Sequence, residues 1–202
     1  MRRAVRFFAW ALAALALSGC ATGFLLDNQV QTFSHLTAPP ASPTYRFERL
    51  PSQQADPAQS ALEALADPAL YRAGLRRDDA APRFGVQVTA RTSRMLSPYA
   101  DPWDAWGGGW GMGLGGRGIG IGFGMPFGRM ESPWFQREVG VVVRDLASNQ
   151  VVYETRATNS GPWLDNMAVI PAMFEAALQG FPNPPGGPRR VDIHVGAAAP
   201  GT

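Results

Sequence analysis

Between residues 137 and 157 the chain alternates apolar and polar side chains with a period of two, broken once in the middle. Val139, Val141 and Val143 take alternate positions in Arg137 to Arg144, and Val151 to Ala157 is the expected partner across Asp145-Leu146-Ala147-Ser148-Asn149-Gln150. Successive residues of a strand face opposite sides, so each of these strands buries one face and wets the other. The pattern predicts a hairpin with one face to be covered.

Arg83 to Arg94 repeats the pattern, with Phe84, Val86, Val88 and Ala90 on one face and Gly85, Gln87, Thr89 and Arg91 on the other. Asn28 to Phe33, Thr44 to Glu48 and Arg190 to Val195 read as further short strands. Two helices supply the cover. Asp56-Pro57 is a helix start, with aspartate as cap and proline where its missing N–H costs nothing. That helix runs toward Gly74 with Leu62, Leu65, Ala69 and Ala73 on one face, and Pro68 predicts a kink or a break near Asp67. Met167 to Gly180 is the second, with Ile170, Phe174, Ala177 and Phe181 at helical spacing despite Pro171. The expected fold is α+β, a mainly antiparallel sheet of five or six strands with two helices on one face. The other face carries Gln87, Thr89, Arg91, Glu138 and Arg144, and so is wet or waits for a partner.

This order of elements resembles the bacterial lipoprotein family known as domain of unknown function 4136. The resemblance is carried by Phe33, the Thr44-Tyr45-Arg46-Phe47 strand, the Arg137–Thr155 hairpin with Asp145 at its turn, and the Gly180-Phe181-Pro182 helix end. It covers most of residues 28 to 186, with Tyr153 where a tryptophan is expected and a strand continuing past the proline-rich stop. It implies a fold and a location, and no activity.

The first residues agree with that location. Arg2, Arg3 and Arg6 precede an apolar run from Phe7 to Leu17, the charged and apolar regions of a secretory signal. The run has 11 residues, too few to span a bilayer, which needs about 20. Leu17-Ser18-Gly19-Cys20 resembles the lipobox of bacterial lipoproteins, which implies diacylglycerol on the Cys20 thiol, cleavage before it and acylation of the new amine. Two acyl chains already hold a protein stably, and three make the anchor close to permanent. Ala21 in place of aspartate implies the outer membrane in such families, with the domain facing the periplasm. The expected organisation is a signal over 1–19, a lipidated tether over 20–27, one α+β domain over 28–196 and a disordered tail over 197–202.

Charge narrows the partners. All 18 basic residues are arginine and three lie in the leader, so beyond it 15 arginines face 16 acids, a net of −1. A nearly neutral domain lacks the electrostatic footprint of nucleic-acid binding. Nor does glycine here mean nucleotide: a phosphate loop needs a following lysine, and the chain has none. With its one cysteine committed to lipid, the fold rests on an apolar core without disulfides.

The Gly/Trp-rich segment 98–133 interrupts the sheet pattern with Trp103, Trp106 and Trp110, then Ile119, Ile121, Phe123 and Met125 alternating with glycine. One reading is a flexible low-complexity loop. The other is an extended segment with one smooth and one apolar face, which would touch the membrane or an envelope protein partner.

Candidates for chemistry are few. His35 precedes a proline-rich loop, and His194 shares a strand face with Asp192, a pair short of the ligands a metal needs. Asp101 and Asp104 beside Trp103 form a carboxylate pair of the kind an envelope enzyme acting on glycan or lipid would use. A glycine-rich loop holds such a pair poorly, and both suit turns. The expectation is a non-catalytic lipoprotein acting by contact, without metal or cofactor, with the enzyme and a carrier of a small apolar ligand as alternatives.

Overall fold

The computed structural model describes residues 23–99, 110–115, 118–123 and 133–196. Seven strands form one sheet: β1 (Phe24–Ser34), β2 (Thr44–Phe47), β3 (Arg76–Arg77), β4 (Phe84–Met95), β7 (Trp134–Asp145), β8 (Gln150–Gly161) and β9 (Arg189–Val195), in the order β3-β2-β4-β7-β8-β1-β9. A separate two-stranded ribbon joins β5 (Trp110–Gly115) to β6 (Gly118–Phe123). Helix α1 (Pro57–Arg72) and helix α2 (Asn166–Leu178) cover one face.

The expected hairpin is the middle of this sheet. Val139 pairs with Ala157 and Val143 with Tyr153, and one register irregularity follows Val143. Asp145 shapes the turn by accepting from the backbone N–H groups of Ala147 and Ser148 at 2.9 and 3.2 Å, while Asn149 takes a left-handed φ of 57°. Val86, Val88, Val139, Val141 and Val143 turn to the helices and are fully buried with Leu70, Met173 and Phe174. These side chains form the core between sheet and helices.

The sheet differs from expectation in two ways. It has seven strands rather than five or six, because the two-residue β3 is too short to leave a pattern. It is also mixed: β2 runs parallel to both β3 and β4, since α1 intervenes between β2 and the strands that return beside it. The first strand begins at Phe24, earlier than Asn28, because β9 pairs with it from Phe24↔Val195 to Val30↔Arg189.

Both helix starts use the side chain that precedes them. Asp56 accepts from the Ala58 N–H and Asp165 from the Met167 N–H, each at 2.8 Å. Pro68 does not break α1, which continues to Arg72. Pro68 and Ala64 are both exposed, so water can serve the carbonyl that the proline leaves free. The fully buried positions of α1 are Gln59, Glu63, Ala66, Ala69 and Leu70, with Leu62 and Leu65 only partly covered.

Part of the Gly/Trp-rich segment is paired strand rather than loop. Trp110 pairs with Phe123, Met112 with Ile121 and Leu114 with Ile119, and glycine stands opposite glycine at every intervening position. Directly opposed residues share a face, so the register gives one face of this ribbon only glycine.

Candidate contact surfaces of the sheet

The anticipated contact residues fall in two groups. Cys20, Trp103, Trp106, Asp101 and Asp104 lie outside the described residues, as do the signal and the tail beyond residue 196. Trp110, Ile119, Ile121 and Phe123 hold paired register positions in the ribbon. His35 and His194 are exposed, and Asp192 is engaged by Arg190, whose Nε donates to it at 2.8 Å. Among the described residues, no group of three or more His, Cys, Asp or Glu could hold a metal ion, and no helix is long and apolar enough to cross a membrane.

The open face of the sheet is covered by side chains that pair with one another. Arg156 meets Glu138 at 3.5 Å, Arg190 meets Asp27 at 3.7 Å, and Arg144 meets Glu48 at 3.2 Å. Gly85 leaves room for the last pair: a Cβ there would run into the Glu48 side chain as it stands. Each pair is partly exposed and contributes little to stability, yet together they leave this face polar and charge-balanced.

The covered face holds a polar row. Arg137 on β7 pairs with Asn159 on β8, and Asn28 on β1, one residue beyond the Gln29↔Thr158 pair, stands level with Asn159. All three are buried. The Arg137 guanidinium donates to Asn166 Oδ1 at 2.7 Å and to the Trp163 carbonyl, and burial lowers its pKa. Asn159 donates to the Asp27 carbonyl at 2.7 Å, and Asn28 to those of Leu26 and Val191, both at 3.1 Å. Arg137 Nη1, Asn159 Oδ1 and Asn28 Oδ1 make no hydrogen bond among the described residues. One donor and two acceptors suit a small molecule that both donates and accepts, as water does. Parity alone signals this row, because Arg137 shares the phase of Val139, Val141 and Val143.

A groove of about 220 Å³ runs between α1, α2 and β9, lined by Ala69, Ala73, Leu178, Phe181 and Ile193. Arg72 and Glu175 form an ion pair across its rim at 3.0 Å. Nearer the sheet, Arg49 grips Glu63 at 2.7 and 2.6 Å and Gln59 donates to the Val88 carbonyl at 3.3 Å, so the polar residues buried under α1 are bonded. The Tyr45 hydroxyl donates to Asp67, and burial above all, then the neighbouring carboxylate, raises its pKa.

A mixed sheet backed by two helices, with a paired polar face and an apolar core, defines this protein as an α+β domain. The chain belongs to the family described as domain of unknown function (DUF4136), which it matches over residues 29–183. No curated protein matches it. Among solved structures it is similar to the PelC dodecamer from Paraburkholderia phytofirmans, at 12% identity over 78% of this chain and 95% of that one, with a TM-score of 0.44. A variant of the same dodecamer gives 13% identity, the same coverage and a TM-score of 0.43. A PDZ domain protein from Parabacteroides distasonis is similar at 13% identity and a TM-score of 0.48, over 92% of this chain and 41% of that one.

Proposed function

We propose that this protein is a non-catalytic lipoprotein of the bacterial envelope, held in the outer membrane through acylated Cys20 with its domain facing the periplasm, and that it acts by contact with protein or membrane. The observation that carries this reading is the position of β1. Its first residue, Phe24, follows Cys20 by only four positions, a reach of at most about 14 Å, so an acylated Cys20 keeps the sheet at the lipid surface. The apolar core and the paired open face fit a role in contact.

Mass spectrometry of the mature protein from membranes tests the anchor. The expected product begins at Cys20 and carries three acyl chains, and Cys20→Ser leaves the membrane fraction. A mature protein that begins elsewhere, or that keeps a free Cys20 thiol, overturns the reading.

A further inference from the structure

Strand register brings five strand ends together. Met95 at the end of β4 pairs with Trp134 at the start of β7, and Phe135 pairs with Gly161 at the end of β8. Phe24 at the start of β1 pairs with Val195 at the end of β9, and its ring stacks on Trp163 with centroids 4.0 Å apart. All of these lie at one end of the sheet, the end that the chain enters from Cys20.

That end exposes large apolar side chains from separate segments. Leu96 is 82% exposed and Tyr99 85%, just past β4, while Leu164 is 70% and Met167 68% exposed, just past β8. The Tyr99 ring meets Trp134 edge to face at 5.8 Å, and Met95 is also exposed. Charge here comes from Arg94 and from Asp165, which is engaged in capping α2, and His194 is exposed at the same end. The other end also exposes Phe33 and Val151, but charge is concentrated there. Arg76, Arg77, Asp78, Asp79, Arg83 and Asp145 gather there, around the starts of β2 and β4 and the β7–β8 turn.

We propose that the sheet end formed by Leu96, Tyr99, Leu164 and Met167 rests on the lipid surface, so that the strands stand on the membrane and the charged end points away. The inference rests on the anchor proposed above, because the short reach from Cys20 to Phe24 is what brings this end, and not the other, to the bilayer. Tyrosine and tryptophan rings with aliphatic neighbours suit the headgroup boundary, where one part of each side chain is wet and the other is not. The contact supplies orientation, while the acyl chains supply retention.

The test uses the acylated mature protein in vesicles of phosphatidylethanolamine and phosphatidylglycerol. An environment-sensitive fluorophore is placed by Leu164→Cys, Tyr99→Cys or Tyr71→Cys, the last 62% exposed near the charged end. Brominated lipid should quench the probes at 164 and 99 by about half, as expected for groups at the headgroup boundary, and leave the probe at 71 unchanged. Equal and weak quenching at all three positions would overturn the proposal, as would crosslinking of the probes at 164 and 99 to a second protein in place of lipid. The intact mass of the same samples reports the acyl chains separately. Weak quenching with the acyl mass present therefore overturns the resting surface alone; its absence overturns the anchor, and quenching at 164 and 99 would still support the surface.

Discussion

The hydroxyl of Thr155, in the middle of β8, donates to the carbonyl oxygen of Ala177, 2.9 Å away in the last turn of α2. Thr32 on β1 lies 2.9 Å from the same hydroxyl, so one buried oxygen joins two strands and a helix end. The last carbonyls of a helix have no partner within it, and this one is buried where water cannot serve it. Thr155→Val should therefore cost about 2 kcal/mol by urea denaturation, while Thr155→Ser should stay within about 1 kcal/mol of the parent. A serine loss as large as the valine one would show that the methyl group matters as much as the bond.

Arg137 presents the opposite balance, a buried cation bonded to Asn166 and to the Trp163 carbonyl and, among the described residues, in no ion pair. Its truncation removes volume and bonds together. Arg137→Ala should cost about 3 kcal/mol, and Arg137→Met, which keeps most of the volume and removes the buried charge, no more than about half of that. A methionine variant as unstable as the alanine one would mean that the two bonds outweigh the desolvation of the guanidinium.

Two glycines close the two helices in the left-handed region, Gly74 at φ +97° and Gly180 at φ +83°. They differ in their surroundings. A Cβ at 74 meets nothing within 4 Å, whereas one at 180 would lie 3.3 Å from the Cα of Pro184. Gly74→Ala should cost about 1 kcal/mol through its backbone alone, and Gly180→Ala about 2 kcal/mol through backbone and crowding. Thermal melts of the two variants in one buffer make the comparison.

Asp145 sets a dependence on acid. The backbone N–H of Ser148, then that of Ala147 and the nearby Arg83 guanidinium, hold its carboxyl below the usual carboxylate range. Because its folded pKa is depressed, the stability it contributes is fully present above its unfolded value of about 4. It is lost as the pH falls through the lower folded value. Asp145→Asn should thus be less stable than the parent at pH 6, and the gap between their melting temperatures should narrow below about pH 4.

Much of this fold can be read from neighbours along the chain. The β7–β8 hairpin, the cap Asp56 and the polar open face all follow from spacings of a few residues. The rest depends on distant partners. Asn28, Glu63 and Arg137 are polar residues in buried phases, and each is tolerated because a carbonyl, an arginine or an amide from another element reaches it. The extension of β1 to Phe24 has the same origin, since β9 supplies the partner strand more than 160 residues later. The parallel placement of β2 beside β4 depends on where α1 returns the chain, and two residues of β3 are too few to carry a period. Among the anticipated contact positions, the apolar–glycine alternation from Ile119 to Phe123 pointed correctly to extended chain. The exposed cluster of Leu96, Tyr99, Leu164 and Met167 left no mark of its own, because its members come from two segments that only strand register brings to one end.

The pairing of Phe24 with Val195 means that the first and last strands of the described domain lie side by side, with entry and exit at one end. Such a domain can be rewired without disturbing a single strand neighbour. A short splice from residue 196 to residue 23, with a new opening in the turn after Asp145, would give a circular permutant with every strand pairing retained. A lipid attached at that new start would hang the same domain upside down from its membrane. Which way up it works would then become a question genetics can ask.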